Sequence, residues 1–383
     1  MINRFILGFF TILTFTGNFV VNAQEVLIPA PPELAASSYL LIDADTETVL
    51  VEHKSDLTVP PASLTKMMTS YIVSSEIERG RVSDDDMVNV SVKAWRKGGS
   101  KMFIREGTQV ALKDLLRGVI IQSGNDASIA LAEHIAGSEE AFVDIMNQKA
   151  ALMGLNDTHF ENATGWPAEA HRTTAHDLAI LARALIYDFP EHYRMYAEKS
   201  FSYNGITQAN RNRLLFRDET VDGLKTGHTE EAGYCLVASA KRDDMRLIAV
   251  VMGTNGEESR AAETQKLLAY GFRYFQVVPV NLVSEVLGTG RVWYGKLDEV
   301  KLGIAEDIKL TLAKGMEQKL QRTIEIDKRI TAPITAGQQL GKMTIQLHGE
   351  VLAGVPLVAQ HAVERAGFFA RMVDRAKLFY AEL

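Results

Sequence analysis

Three short strings in this chain carry residue types that do covalent chemistry: Ser63-Leu64-Thr65-Lys66, then Ser123-Gly124-Asn125, then Lys225-Thr226-Gly227. Each alone recurs by chance, and a Ser-x-x-Lys string is most often an exposed helix terminus. Together, in this order, they point to acyl transfer on a serine. A serine hydroxyl is a poor nucleophile near neutral pH and needs a base to take its proton. Lys66 follows Ser63 at the spacing that puts both on one helix face, a turn apart. Lysine acts as a base only when neutral, and burial or a neighbouring cation lowers its pKa toward that state. Lys225 is the expected second cation. A helix start at Ser63 would aim backbone N–H groups at a developing oxyanion, with the N–H of Ser63 as one donor and that of His228 as the other. Ser123 is placed to relay a proton from Lys66 to the leaving amine. Asn125 offers both halves of its amide to a substrate amide. Gly227 on an edge strand would let a peptide backbone lie alongside as an added strand. The His228 imidazole has no role fixed by the pattern.

The elements that must hold these residues are legible in outline. Strand-like runs at 38–43 and 48–52 meet at the turn Asp45-Thr46-Glu47. After Pro60-Pro61-Ala62, helical spacing of Leu64, Met67, Met68, Tyr71 and Ile72 predicts a helix from Ser63 to about Arg79. Helical period returns over 112–136, broken by a turn at Ser123-Gly124-Asn125, and again over 141–153, 176–187 and 260–274. Between them, 220–253 reads as strand, Gly-rich turn, strand, turn, strand. This order predicts an antiparallel sheet flanked by helices. After residue 275, short β-branched runs with Gly-rich turns predict a small all-β domain. The expected organisation is a signal peptide (1–23), an extended lead-in (24–36), a catalytic domain (37–275), a β-rich domain (276–360) and a terminal helix (361–383).

The ends and the composition narrow the setting. Arg4, an apolar run over 5–15 and Val21-Asn22-Ala23 describe a secretory signal peptide cleaved after Ala23. The run is too short to span a membrane, which takes roughly 20 residues. A net charge of −7 gives no basic field for nucleic acid, and no zinc-finger or basic-helix pattern occurs. The single cysteine, Cys235, lies in an apolar run as a core thiol and permits no internal disulfide. No His-Glu-x-x-His string occurs, so neither a metal nor a cofactor is expected. At the other end, Phe368, Phe369, Met372, Val373, Ala376, Phe379, Tyr380 and Leu383 share one helix face, an arc of roughly 140°. Arg371, Asp374 and Glu382 lie opposite, Arg375 and Lys377 flank it, and Leu378 breaks the pattern. Such a helix suits lying in a membrane interface; the alternative is a helix docked on its own domain.

On these strings the chain resembles the low-molecular-mass penicillin-binding proteins of the D,D-carboxypeptidase type. The motif set is common to penicillin-binding proteins and class A β-lactamases. The match covers about 39–275 and, more loosely, the β domain. It is carried by Pro61-Ala62-Ser63-Leu64-Thr65-Lys66-Met67-Met68, Gln122-Ser123-Gly124-Asn125-Asp126-Ala127 and Val221-Asp222-Gly223-Leu224-Lys225-Thr226-Gly227-His228-Thr229. The resemblance implies a β-lactamase/D,D-peptidase-like α/β (α+β) fold. Ser63 is then the acylated nucleophile and Lys66 its base, with Ser123 and Asn125 as the second motif. Lys225, Thr226, Gly227 and His228 form the opposite wall. Arg211 and Arg260 match positions near the substrate's terminal carboxylate, which guanidinium binds with paired hydrogen bonds. The implied substrate is a peptidoglycan stem peptide ending in D-Ala-D-Ala, and β-lactams are the implied inhibitors. The implied setting is the periplasm, with the terminal helix on the outer leaflet of the cytoplasmic membrane. One loop departs from the family: Ala163-Thr164-Gly165-Trp166-Pro167 replaces His-Gly-Leu-Asp, with Glu161 and Glu169 in no familiar pattern. A β-lactamase, or an idle scaffold that binds wall peptides, are the competing readings.

Overall fold

The computed structural model describes residues 28–381. The expected signal peptide lies outside the described residues, as do Glu382 and Leu383 of the terminal helix.

A five-stranded antiparallel sheet forms the centre, ordered Val49–His53, Ser38–Asp43, Met245–Thr254, Gly233–Arg242, Val221–Thr229. Side chains alternate across a strand, so a sheet covered on both faces needs apolar residues at consecutive positions. Leu40 and Ile42 face a helical layer with Val237, Ile248 and Val250. Tyr39 and Leu41 face the other way with Leu236, Ala238, Leu247 and Ala249, under Leu267 and Leu268 of the helix Glu257–Tyr274.

The helical layer is built around Lys66–Glu78, in which every residue from Lys66 to Ser75 is buried. Helices Leu112–Ile121, Asn125–Ala136, Glu139–Leu152 and Ala175–Asp188 surround it. The expected helix start is shifted: Ala62–Thr65 is a 3-10 turn, and the α-helix begins at Lys66. Buried hydroxyls on this helix find carbonyl acceptors, Ser70 donating locally to Met67 and Thr69 across to Ala163 of a distant loop. The strand carrying the third motif, Val221–Thr229, is an edge, as expected, and packs beside the Ala62–Thr65 turn. The break between Leu112–Ile121 and Asn125–Ala136 is also where it was expected, with Ser123 in the left-handed region at φ 62°.

From Phe275 the chain is β-structure. Phe275–Asn281 pairs with Ile308–Ala313, and a six-stranded sheet runs Leu320–Ile326, Gln339–Leu347, Glu350–Ala359, Glu299–Gly303, Gly288–Trp293, Ile330–Thr331. Two apolar clusters fill it, one around Val300 and Leu302, the other around Met343 and Leu357. A terminal helix, Phe368–Ala381, follows. Among the described residues no helix is long and apolar enough to cross a membrane.

The helix Glu257–Tyr274 carries Arg260 and reaches the sheet through a glycine. A Cβ on Gly271 would stand 2.6 Å from Leu247 Cδ1 and 2.9 Å from Leu41 Cδ2. Gly271→Ala is therefore expected to cost about 1–3 kcal/mol of stability through overpacking, measured as a lowered denaturant midpoint. An unchanged midpoint would mean that this contact is not tight.

Candidate active site

The first two motifs meet at one amine. Lys66 is 1% exposed. Its Nζ lies 3.2 Å from Ser63 Oγ, donates to Asn125 Oδ1 at 2.8 Å and donates to the Thr164 carbonyl at 2.5 Å. Burial lowers its pKa from 10.5 to about 7; the charges of Arg211 and Lys97 push the same way, and Asp126 opposes them. The third motif enters through Lys225, whose Nζ donates to Ser123 Oγ at 2.9 Å and to the Thr226 carbonyl at 3.1 Å. Lys225 is itself buried, and burial, then the charges of Lys66, Arg211 and Arg260, press its pKa well down. It faces Ser123 as a hydrogen-bond donor from within the buried layer. Among the described residues neither lysine forms an ion pair.

A cleft of about 160 Å³ lies in front of these amines. Ser63, Ser123, Arg211, Thr226, Gly227, His228 and Arg260 line it, joined by Ser100, Tyr234 and Glu257. Lys66, Asn125 and Lys225 stand behind it as a buried layer. Arg260, 5% exposed, donates to the Gly227 carbonyl at 3.2 Å and lies 5.6 Å from the Tyr234 ring centre. The exposed His228 ring stacks on the same tyrosine at 3.9 Å. Arg211 is exposed and anchored by Nε donating to the Gln122 carbonyl. A separate cavity of about 310 Å³, around Tyr71, Arg183 and Asp188, shares no residue with this cleft.

One sequence-based expectation is corrected here. Asn125 does not hold its amide toward the cleft: Oδ1 accepts from Lys66, and Nδ2 donates to the Gly98 carbonyl. It orients the lysine and pins the loop over it. A Cβ on Gly227 would come 3.1 Å from Leu64 Cγ, 3.2 Å from the Pro61 carbonyl oxygen and 3.3 Å from Ala62 Cβ. The nucleophile turn thus packs tightly against the strand at this glycine, which also lines the cleft.

Neighbouring residues fix the geometry. The Asp126 carboxylate accepts from the backbone N–H groups of Met102, Phe103, Ile104 and Ala127, holding the loop that meets Asn125. Asn162 Oδ1 gathers the N–H groups of Thr164, Gly165 and Trp166, which turns the Thr164 carbonyl toward Lys66. Gly165, at φ 81°, passes so close to the nucleophile turn that a Cβ would stand 1.8 Å from the Ala62 oxygen. This loop reaches the site through its backbone. Glu161 is exposed and accepts from the Ala170 N–H, and Glu169 is also exposed.

His171, which the sequence did not single out, completes the support. The Glu161 N–H donates to Nδ1 at 3.2 Å, so Nε2 carries the proton and donates to Thr65 Oγ1 at 2.7 Å. Thr65 Oγ1 in turn donates to the Ala62 carbonyl at 2.8 Å. That chain braces Ala62, which holds a left-handed φ of 48° immediately before Ser63. Burial lowers the His171 pKa to about 4. Cys235 is buried, its pKa raised to about 11 by burial, as a core thiol should be.

Comparison with known proteins identifies the family. The family model described as D-alanyl-D-alanine carboxypeptidase matches residues 25–256, and that of the penicillin-binding protein 5 C-terminal domain matches 275–365. The D-alanyl-D-alanine carboxypeptidase DacA of Escherichia coli (strain K12) is 40% identical over 364 residues, 93% of this chain and 90% of that protein. The crystal structure of penicillin binding protein 5 from Haemophilus influenzae matches with a TM-score of 0.83 and 40% identity, covering 88% of this chain and 100% of that one. The D-alanyl-D-alanine carboxypeptidase DacD from Francisella tularensis matches with a TM-score of 0.76 and 36% identity, covering 90% and 97%.

The His171 brace predicts a pair of variants. His171→Gln keeps an acceptor and a donor and should retain the rate of Ser63 labelling by a fluorescent penicillin within a few-fold. His171→Leu should lose tenfold or more, because the Thr65 hydroxyl loses its donor; equal rates would refute the brace. Below its unfolded pKa the unfolded histidine binds a proton that the folded one refuses. The His171 contribution to wild-type stability should thus fall by about 3 kcal/mol as pH drops from 6.5 to 4. Denaturation of His171→Gln across that range should show a shallower fall.

Proposed function

The chain belongs to the D-alanyl-D-alanine carboxypeptidase family of low-molecular-mass penicillin-binding proteins, and we propose that it removes the terminal D-alanine of peptidoglycan stem pentapeptides through an acyl-enzyme on Ser63. The observation that carries this reading is the buried Lys66 amine at 3.2 Å from Ser63 Oγ, with no carboxylate in ion-pair contact among the described residues and only the more distant Asp126 favouring its charge. A shift from 10.5 to about 7 raises the neutral fraction at pH 7 from roughly one part in three thousand to about half. A neutral amine has two N–H bonds and one lone pair. The Asn125 and Thr164 oxygens take the two bonds, which leaves the lone pair for the Ser63 proton.

Ser63 then attacks the carbonyl between the two D-alanines. The backbone N–H groups of Ser63 and His228 receive the oxyanion. Lys66 returns the proton through Ser123, which Lys225 orients, and D-alanine leaves as the C–N bond breaks. Arg260 and Arg211 take the substrate's terminal carboxylate at the far end of the cleft, and Thr226 lines the wall against which the peptide lies. Water activated by the same amine hydrolyses the ester. β-Lactams acylate Ser63 and leave slowly. A β-lactamase reading has less support, because a backbone carbonyl and not a glutamate stands beside Lys66 from the 162–166 loop.

The same reading places the mature protein in the periplasm after cleavage at Ala23. The helix Phe368–Ala381 would tether it to the membrane surface, since Phe368, Phe369, Met372 and Val373 are all exposed. The β-domain over 276–360 then separates the cleft of the 37–275 domain from that surface.

Incubation with diacetyl-Lys-D-Ala-D-Ala should release free D-alanine, and none from wild type would refute the enzyme reading. Ser63→Ala should abolish labelling by fluorescent penicillin; persistent labelling would mean another nucleophile. Rapid turnover of the penicilloyl-enzyme would favour the β-lactamase. Protonation of Lys66 removes its lone pair, so the acylation rate should fall about tenfold per pH unit below about pH 7 and level off above it. A rate flat from pH 5 to 8 would exclude Lys66 as the base.

A further inference from the structure

The terminal helix presents two different sides. One side docks: the Tyr294 N–H donates to Asp374 Oδ2 at 2.8 Å, and Leu378, one turn on, is 8% exposed. That explains why Leu378 breaks the apolar pattern. The other side is open, with Phe369 83% and Val373 54% exposed. Along the boundary run Arg371 and Arg375, again a turn apart, and Arg365 joins them from the segment before the helix, held by its bridge to Gly295.

These three arginines and Tyr294, Phe368 and Met372 line an open pocket of about 350 Å³. Among the described residues none of the three arginine side chains has an ion pair or hydrogen bond, and Arg371 Nε is buried without a partner. A buried, unmatched donor is costly unless an acceptor reaches it from outside. Two carboxylates close to them in the chain are engaged elsewhere, that of Asp374 with the Tyr294 N–H and that of Glu364 with Lys296. The pocket therefore wants an anion with several oxygens, and the Phe368 and Met372 wall wants that anion joined to an apolar body.

We propose that this pocket binds the phosphate of an anionic phospholipid, whose chains continue along the exposed Phe369 and Val373 face. The proposal rests on the membrane-tether reading above and adds a headgroup site to it. Guanidinium forks match phosphate oxygens in pairs, whereas an ammonium meets them as a point charge. A built site and a diffuse positive surface thus respond differently to Arg→Lys replacement.

The test is co-sedimentation of the full chain with neutral phosphatidylcholine vesicles and with vesicles containing phosphatidylglycerol, at fixed ionic strength. Wild type should favour the anionic vesicles by about tenfold or more. The triple variant Arg365→Lys, Arg371→Lys, Arg375→Lys keeps the charge and should lose most of that preference while still binding neutral vesicles. Phe369→Ser with Val373→Ser should weaken binding to both. Inorganic phosphate at constant ionic strength should compete for anionic vesicles with wild type and not with the triple variant. A triple variant that binds like wild type overturns the site and leaves the tether standing, as does equal wild-type binding to both vesicles. Phosphate binding without vesicle preference overturns the lipid assignment, and no binding to any vesicle overturns the tether and the site together.

Discussion

Two lysine side chains are buried behind one cleft with no carboxylate paired to either, and the rest of the active site accommodates that fact. An isolated ammonium in a protein interior costs several kcal/mol, which the group avoids by giving up its proton. Burial is thus the source of the chemistry. The sequence places Lys66 at the start of a helix enclosed along its first turns, where no solvent reaches the amine. Its neighbours are oxygens of Asn125, Thr164 and Ser63, so every position around the nitrogen is defined.

Holding that arrangement requires segments far apart in the chain to arrive together. Asp126 draws in the backbone of 102–104, Asn162 curls the 162–166 loop, and His171 braces the turn before Ser63 through Thr65. Glycines at 165 and 227 allow the backbone contacts that close the cage, since a Cβ at either would press into the Pro61–Leu64 turn. The edge position of Val221–Thr229 brings Lys225 to Ser123 and presents Thr226, His228 and the neighbouring Arg260 to the cleft.

Much of this was legible because it is local. The motif strings, the helix after Pro61, the break at Ser123, the strand succession over 220–253 and the β-texture after 275 all follow from spacing and turn residues. What escaped depends on which distant element abuts. Asn125 looks like a substrate ligand until Gly98 arrives beside it, and the tight packing of Gly227 on Leu64 has no local sign. His171 sits 106 residues from Thr65 and gives no local sign of the contact. Leu378 breaks an amphipathic pattern for a reason that only the docked helix reveals. The departing loop at 163–167 acts through a carbonyl and an amide-bound turn, features that side-chain identity does not encode.

The central claim is that burial beside Ser63 brings the Lys66 pKa down to about 7, so that about half of the amine is neutral near physiological pH. The direct measurement is an NMR titration of the lysine side chains in ¹³C-labelled protein, with the Lys66 Cε signal assigned by its loss in Lys66→Arg. A midpoint near pH 7 is the predicted result. A midpoint near the ordinary lysine value of about 10.4 would contradict the account.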